Sequence, residues 1–267
     1  MGPSAYLADD GAAYERFLGR WTRRLAEALI DFAGLPAAGP LLDIGCGTGS
    51  VALELRRRYP DRSVSAVDAS AAYLAVARGR AGADSIEFEQ ADAADLPFGA
   101  GRFSGSIAQL TLNFMPDPGR AAQEMRRVTC SGGVLAAAVW DFRGGLVFQR
   151  LFWDTAAALD PAAGASRDRL FSHPLAQPGG LTRLWREIGL REIDDRSLTI
   201  RMEYESFDDY WEPLLGGQGP FGSYVAGLPD ERRAVVRAAV RDAYRSGGPD
   251  GPRSLAATAW AVRGRVP

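Results

Sequence analysis

The sequence predicts a doubly wound α/β fold, that is, a mostly parallel sheet with helices on both faces. Between residues 40 and 142, short apolar runs alternate with amphipathic stretches, which is the pattern of successive βαβ units. The first run leads into a glycine-rich turn and then directly into a helix, an arrangement typical of the ligand-binding edge of such sheets. A chain of 267 residues is long enough for this sheet together with a helical cap.

The periodicity of apolar residues gives each element in order. An amphipathic helix over 12–33 opens the chain and is predicted to end at Gly34. Strands are predicted at 41–44, 63–67, 85–89, 104–110, 133–140, 190–202 and 254–264. Helices are predicted at 50–59, 71–80, 119–129, 147–159, 181–188, 206–215 and 229–246.

Two regions interrupt this alternation. Residues 160–180 are rich in Pro and Gly, so we expect a long loop that acts as a lid or binding loop. About 50 residues separate the last two strands, far more than a hairpin needs, and they are expected to lie over the sheet. We therefore predict a single domain, 1–267, with a core of 34–142, 180–204 and 253–264 and a cap of 1–33, 143–179 and 205–252.

Composition excludes several chemistries. All 31 basic residues are arginine, and the absence of lysine from the sequence excludes Schiff-base catalysis and a P-loop. A single histidine (His173) and two cysteines (Cys46 and Cys130) exclude multi-histidine and cysteine-cluster zinc sites, so no metal is expected. No G-x-S-x-G motif is present for a serine hydrolase.

Charge and hydropathy bear on partners and location. A net charge of −2 and a pI of about 5.6 argue against a nucleic-acid partner. No apolar run is long enough to span a membrane, and the N-terminus lacks the pattern of a signal peptide. We therefore predict a cytoplasmic protein with no membrane association. The sequence leaves its oligomeric state open between a monomer and a homodimer. Abundant Ala, Gly and Arg without Lys suggests a GC-rich bacterial genome.

The most informative stretch is LLDIGCGTGS at 41–50. An apolar strand runs into Gly45, Gly47 and Gly49, and a helix begins at Ser50. Glycines allow a sharp turn and close approach of a ligand, and the helix start offers unpaired N–H groups. Asp68 ends the next strand, 19 positions after Gly49, where an acid can accept hydrogen bonds from both ribose hydroxyls. Together these features predict an adenosine-containing cofactor.

The details of the motif favour one family. A dinucleotide fingerprint has its third glycine where this chain has Ser50. The pattern G-x-G-x-G preceded by Asp43 instead resembles motif I of the class I S-adenosylmethionine-dependent methyltransferases. Further stretches match in order, namely AVDAS, QADAADLPF, FSGSIAQLTLNFMPDP and RVTCSGGVLAAAVWD, and YERFLGRWTRR resembles the lid helix of a bacterial branch.

This resemblance implies a Rossmann-like, seven-stranded, mostly parallel sheet with an antiparallel last strand and a helical cap. It implies S-adenosylmethionine as cofactor, S-adenosylhomocysteine as product, and in-line methyl transfer to a small-molecule acceptor. The residues that it places around the cofactor are Tyr14, Arg20, Asp43, Gly45, Cys46, Gly47, Asp68, Ala69, Asp92, Ala93, Gln109 and Leu110.

Roles follow for some of these residues. Asp68 would hold the ribose, Asp92 with the backbone of Ala93 would meet the adenine amino group, and Gln109 and Leu110 would lie beside the sulfonium and the substrate. Asp43 belongs either to the cofactor site or to a structural role, in which it caps the glycine loop. Arg20 would reach the cofactor carboxylate from the lid helix.

Catalytic and acceptor-binding residues are less defined. His173 is the candidate general base because imidazole titrates near neutrality, although its Ser-His-Pro setting equally suits a surface residue. Alignment alone can supply about 7–11 kcal/mol and a base about 3–5 kcal/mol, so methyl transfer does not require one. Aromatic residues are candidates for the acceptor site, although aromatic residues at helical spacing are usually core: Phe114, Trp140, Trp153 and Trp211.

Two alternatives stay open from the sequence. An NAD(P)-dependent Rossmann oxidoreductase would share the strand, glycine turn, helix and acid. A protein that binds S-adenosylmethionine without methylating anything would share the whole pattern. Nucleotide selectivity separates the first alternative, and product formation separates the second.

Overall fold

The computed structural model describes residues 10–267, and its sheet has the predicted architecture. The strand order is β3-β2-β1-β4-β5-β7-β6. β1 to β5 pair in parallel, and β7 runs antiparallel to both β5 and β6, which confirms the predicted antiparallel last strand. In the described part of the chain the strands are Leu41–Ile44 (β1), Val64–Asp68 (β2), Ile86–Gln90 (β3), Phe103–Gln109 (β4), Thr129–Trp140 (β5), Arg191–Tyr204 (β6) and Arg253–Arg265 (β7).

A helix follows each of β1, β2 and β4, no helix separates β3 from β4 in the described chain, and the later helices follow β5 and β6. The helices are Gly11–Tyr14 (α1), Arg20–Ala33 (α2), Ser50–Arg58 (α3), Ala71–Arg78 (α4), Pro118–Val128 (α5), Val147–Leu159 (α6), Pro161–Phe171 (α7), Gly180–Glu187 (α8), Phe207–Trp211 (α9), Gly219–Ala226 (α10) and Asp230–Arg245 (α11).

The N-terminal helix is interrupted rather than regular. A π-helical turn, Glu15–Gly19, lies between α1 and α2. A Cβ at Gly19 would lie 2.3 Å from Oε1 of Glu15, so only glycine lets that carboxylate fold back over the turn. As predicted, α2 ends at Gly34, which adopts a left-handed conformation with φ of 59°.

The prediction of a long loop at 160–180 is wrong. Most of the region is helix α7, followed by a short 3-10 turn at Pro174–Ala176 and the start of α8. Asp160 caps α7 by accepting a hydrogen bond from the N–H of Ala162 at 2.9 Å, and Pro161 occupies the first helical position. These two residues are a helix-start signal that the surrounding Pro and Gly obscured.

The sheet divides the apolar core into two layers. Along β5 the side chains alternate, so Ala136, Ala138 and Trp140 share one layer with α2 and α3. Leu135 and Val139 point to the other layer, which contains α5 and α8. Both faces of the parallel strands are therefore buried, as in other doubly wound sheets.

The N-terminal segment consists of α1, the π-helical turn and α2, residues 11–33. Aromatic rings join it to the elements inserted after β5 and β6. Phe221 of α10 lies 4.3 Å, ring centroid to ring centroid, from Phe152 of α6 and 5.8 Å from Phe17 of the π-helical turn. Phe17 also contacts Phe148 edge-on at 6.1 Å. This cluster joins three separate parts of the chain above the carboxyl ends of the strands.

Candidate functional site

A cavity of about 460 Å³ lies at the carboxyl ends of β1, β2 and β4. β1 and β4 are neighbours in the sheet, and the strand order reverses between them. Such a reversal leaves a crevice at which doubly wound sheets bind ligands. The opposite walls come from the N-terminal segment, α6, α7 and α10.

The glycine loop after β1 forms the floor of the cavity. Gly45 has a φ of 64°, and a Cβ there would lie 2.2 Å from Oγ1 of Thr111, so a side chain is excluded by both backbone and space. Gly47 has a φ of 54° but open space, since the nearest atom to its Cβ position is a Tyr73 carbon at 3.8 Å. The backbone at Gly47 is therefore accessible to a ligand.

Asp43 stabilises the helix that follows this loop. Its carboxylate is buried, and Oδ2 accepts a hydrogen bond at 2.9 Å from the N–H of Ala52 in the first turn of α3. Burial raises the pKa of Asp43 to about 8, an effect that the bond from Ala52 opposes and the nearby Asp68 increases. Asp43 also lines the cavity, so its predicted place at the site and its structural role coexist.

Asp68 joins the glycine loop to the end of β2. Its Oδ2 accepts a hydrogen bond from the N–H of Gly47 at 2.7 Å, and its Oδ1 accepts one from the N–H of Ser70 at 2.8 Å. Burial raises the pKa of Asp68, and these two bonds oppose that rise. Each carboxylate oxygen has a second lone pair, so Asp68 can still accept hydrogen bonds from a ligand in the cavity it lines.

Asp92 follows β3 at the side of the cavity. Its side chain is exposed, and Oδ1 accepts a hydrogen bond from the N–H of Ala94 at 2.8 Å, which fixes the turn. The adjacent Ala93 is buried. Four of the predicted cofactor residues, Asp92, Ala93, Ala69 and Tyr14, line the cavity.

Gln109 and Leu110 end β4 at the cavity. The Nε2 of Gln109 donates to the carbonyl oxygen of Thr22 at 3.0 Å, while its Oε1 is buried and unpaired among residues 10–267. Leu110 has a φ of 59°, a conformation that costs a residue with a side chain about 1–2 kcal/mol. The N–H of Leu110 donates to the carbonyl oxygen of Ala138 at 2.7 Å, which holds this strained turn beside β5.

Two polar contacts attach the N-terminal segment to the glycine loop. The hydroxyls of Thr22 and Ser50 lie 3.0 Å apart, and Oγ1 of Thr48 donates to Oε1 of Glu15 at 2.5 Å. Arg80 reinforces the second contact because its Nη1 donates to the carbonyl oxygen of Thr48 at 2.8 Å. The segment is thereby fixed as one wall of the cavity.

Most of the predicted site residues line the cavity, and four do not. Those that do are Tyr14, Asp43, Gly45, Cys46, Gly47, Asp68, Ala69, Asp92, Ala93, Gln109, Leu110, Phe114 and Trp140. Arg20 instead forms an ion pair with Asp209 at 2.8 Å and lies over the ring of Trp21, in a separate cleft. The predicted contact of Arg20 with the cofactor is therefore not supported by its position.

Trp153 and Trp211 lie in the apolar core behind the cavity wall. The ring of Trp153 contacts Phe221 at 5.7 Å between centroids, and that of Trp211 stacks on Phe207 at 5.8 Å. Both indoles are almost completely buried. Aromatic residues at helical spacing are usually part of the core, and the positions of these two agree with that expectation. Both rings support the cavity wall and do not line the cavity.

His173 is the fourth predicted residue that does not line the cavity. Its Nδ1 accepts a hydrogen bond from the N–H of Leu175 at 3.3 Å and so caps the 3-10 turn at Pro174–Ala176. Burial lowers the pKa of His173, and the backbone of Asn113 opposes that change. The imidazole has a local structural role, and its position does not support general-base catalysis.

Sequence reasoning missed several polar residues of the cavity, among them Gln149 on α6. Only 7% of Gln149 is exposed, and its Oε1 is unpaired within the described residues. The signal was available, because position 149 falls on the buried face of the helix together with Phe152, Trp153 and Ala156. A polar residue on such a face needs an explanation.

Residues 10–267 contain neither a cluster suited to a metal ion nor a helix suited to span a membrane. No group of three or more His, Cys, Asp and Glu residues is placed to hold a metal ion. In the same part of the chain, no helix has the length and apolar character needed to cross a membrane.

Comparison with protein families matches residues 42–137 to the methyltransferase domain. The O-methyltransferase cnsE of Penicillium expansum is 32% identical over 203 residues, which cover 73% of this chain and 69% of that protein. The malonyl-[acyl-carrier protein] O-methyltransferase of Geobacter sulfurreducens is 28% identical over 249 residues, 91% of this chain and 90% of the relative. The match to the demethylmenaquinone methyltransferase of Thermus thermophilus, at 36% identity, spans only 52% of that relative.

Among solved structures, phosphoethanolamine N-methyltransferase 2 of Haemonchus contortus in complex with S-adenosylhomocysteine superposes with a TM-score of 0.57. The sequence identity is 16%, and the match covers 96% of this chain and 56% of that one. At this identity the similarity is one of fold.

Proposed function

Because the chain belongs to the class I S-adenosylmethionine-dependent methyltransferases, we propose that its cavity binds S-adenosylmethionine and directs a methyl group onto a small-molecule acceptor. One hydrogen bond supports the assignment of the cofactor to this cavity. The N–H of Gly47 donates to Oδ2 of Asp68 at 2.7 Å. That hydrogen bond places a carboxylate at the strand end beside an open glycine backbone, where an adenosine ligand needs acceptors.

The residues present fit this cofactor. Gly47 leaves room for close approach, Asp68 offers acceptors to the ribose hydroxyls, and Asp92 has a carboxylate oxygen to accept from the adenine amine. Gln109 lines the cavity and is oriented by its bond to the carbonyl oxygen of Thr22, and its buried Oε1 has no partner within residues 10–267. A partial negative charge there would stabilise a positively charged sulfonium in a site with little water.

The protein contributes mainly by holding reactants in line. The bound cofactor supplies an electrophilic methyl group, and in-line attack by the acceptor yields S-adenosylhomocysteine. Alignment can provide about 7–11 kcal/mol of the barrier reduction. The fixed walls of the cavity, from the glycine loop to the N-terminal segment, are suited to that task.

The experiment that tests the proposal is titration calorimetry with S-adenosylmethionine, S-adenosylhomocysteine, NAD and NADP in parallel. Micromolar binding of the two sulfur compounds alone is expected. Binding of a nicotinamide nucleotide instead would restore the oxidoreductase alternative, which family membership disfavours. Assaying S-adenosylhomocysteine formation against a panel of small-molecule acceptors then separates an enzyme from a protein that only binds the cofactor.

Other predictions from the sequence are part of this proposal rather than of the findings. They are a cytoplasmic location, a bacterial origin, a monomeric or homodimeric state, the absence of a nucleic-acid partner, and the division into core and cap. Size-exclusion chromatography with light scattering would measure the oligomeric state directly.

A further inference from the structure

The cavity has a second set of walls, separate from the loops that would hold the cofactor. They come from the π-helical turn, the end of β5, α6, α7 and α10. Most of these wall residues are apolar or aromatic: Phe17, Phe142, Leu170 and Phe221. Such a surface favours a largely apolar molecule with ring character.

Two residues of this wall, Gln149 and Trp140, each carry a polar side-chain atom without a partner in the described chain. The Oε1 of Gln149 and the Nε1 of Trp140 are both buried and unpaired within the described chain. Gln149 is 7% exposed and Trp140 is 3% exposed. Because an unpaired buried polar atom is costly, a matching group on a ligand would be recognised strongly. The indole N–H requires an acceptor, and the amide oxygen requires a donor.

The charges along the cavity restrict the ligand further. Among residues 10–267 the charged side chains that line the cavity are carboxylic, namely Asp43, Asp68 and Asp92. Burial raises the pKa of Asp43 to about 8, so the negative potential at neutral pH comes from Asp68 and Asp92. This potential disfavours an anionic acceptor such as a carboxylate or a phosphate ester. A hydroxyl group meets both polar requirements without a charge, since it donates one hydrogen bond and accepts others.

We propose that the methyl acceptor is a neutral, ring-containing apolar molecule that carries a hydroxyl group, and that Gln149 and Trp140 are the residues that select it. The inference rests on the proposed function, because it assigns the acceptor class of the same cavity. Gln149 accepts from the hydroxyl and Trp140 donates to it or to a neighbouring oxygen, while the aromatic wall contacts the rings.

The test compares the affinities of three probes for the full chain saturated with S-adenosylhomocysteine. The probes share a naphthalene ring and differ in the substituent at position 2. 2-Naphthol can donate and accept, 2-methoxynaphthalene can only accept, and 2-naphthoate is anionic. Calorimetry should show that 2-naphthol binds about tenfold or more tightly than either of the others. Equal binding of 2-naphthol and 2-naphthoate, or no binding of 2-naphthol, would overturn the proposal without any variant.

Variants then assign the selectivity to residues. Gln149→Leu should reduce the preference for 2-naphthol over 2-methoxynaphthalene to within about twofold, and Trp140→Phe should weaken both probes. Gln123→Leu, at an exposed glutamine of α5, is the matched control and should retain the preference. An unchanged preference in Gln149→Leu would refute the role of this residue.

Affinity for S-adenosylhomocysteine separates failure of this inference from failure of the proposed function. Wild type and the Gln149→Leu variant should bind it with affinities within about threefold, which also verifies folding of the variant. A chain that binds S-adenosylhomocysteine but shows no selectivity among the probes refutes only the acceptor class. A chain that does not bind it refutes the proposed function itself.

Discussion

Replacing Asp68 with asparagine tests the central geometry of the site. The carboxylate of Asp68 accepts hydrogen bonds from the N–H groups of Gly47 and Ser70 through its two oxygens. Asparagine keeps one acceptor oxygen and replaces the other with an N–H₂ group that cannot accept from a backbone N–H. One of the two backbone bonds is therefore lost, and the ribose hydroxyls lose a charged acceptor.

The magnitude follows from these contacts. A hydrogen bond to a charged group contributes about 1.5–3 kcal/mol, so losing the bond to Gly47 or Ser70 should lower the free energy of unfolding by about that amount. A similar loss of ribose contacts should weaken S-adenosylhomocysteine binding by roughly 10–100-fold, since about 1.4 kcal/mol corresponds to tenfold. Asp61→Asn, at an exposed residue before β2, is the matched control and should change neither quantity.

The pH dependence of binding provides an independent readout. Burial raises the pKa of Asp68 above the range that is usual for aspartate. The wild type should therefore lose affinity for S-adenosylhomocysteine as the pH falls through this raised pKa, because a protonated Asp68 no longer offers a charged acceptor to the ribose. The Asp68→Asn variant should lack this loss of affinity. Calorimetry at several pH values measures both, and equal affinity of Asp68→Asn and wild type at neutral pH would refute the ribose assignment.

Three further predictions concern other residues. Gly45→Ala should weaken S-adenosylhomocysteine binding, measured by calorimetry, about tenfold or more, because its Cβ would lie 2.2 Å from Thr111 at a positive φ. Gly99→Ala is the control and should leave this affinity unchanged, because no described atom lies within 4 Å of a Cβ at that position. His173→Ala should change turnover less than roughly threefold, and a loss of about 100-fold in product formation would restore its role as base. Burial raises the pKa of Asp43 from 3.8 to about 8, so the stability that its protonated form contributes is present at low pH and is lost as the pH rises toward 8. Asp43→Asn should therefore flatten the decline of Tm between about pH 4 and 8, and an unchanged slope would contradict the burial argument.

The sheet could be predicted because burial on both faces leaves a continuous apolar signal in each strand. The strand Leu41–Ile44 was predicted with its observed bounds, and the others differ at their ends by a few residues. The prediction failed where composition and local signal conflicted. In α7 the capping Asp160 and Pro161 indicate a helix, but the many Pro and Gly residues nearby suggested a loop.

The candidate site was predictable where the backbone determines it. Gly45 and Gly47 require conformations that a sequence motif can reveal, and Asp68 occupies a strand end that the fold class fixes. Arg20 was misplaced because its partner, Asp209, lies 189 positions away and has no local signature. Gln149 falls on the apolar face of α6, but it was missed because only the structure shows that its Oε1 is buried and unpaired within residues 10–267.

The attachment of the N-terminal segment to the glycine loop has a consequence for the timing of turnover. Residues Phe17 and Thr22 belong to the wall of the cavity, while Thr22 is also bonded to Ser50 and Gln109. If a ligand enters or leaves by displacing this wall, the bonds of Thr22 to Ser50 and Gln109 must break together. Such an opening is a local unfolding step with its own free energy. We expect amide hydrogens of the segment and of the loop to exchange with solvent as one cooperative unit, and release of product rather than chemistry to limit the rate.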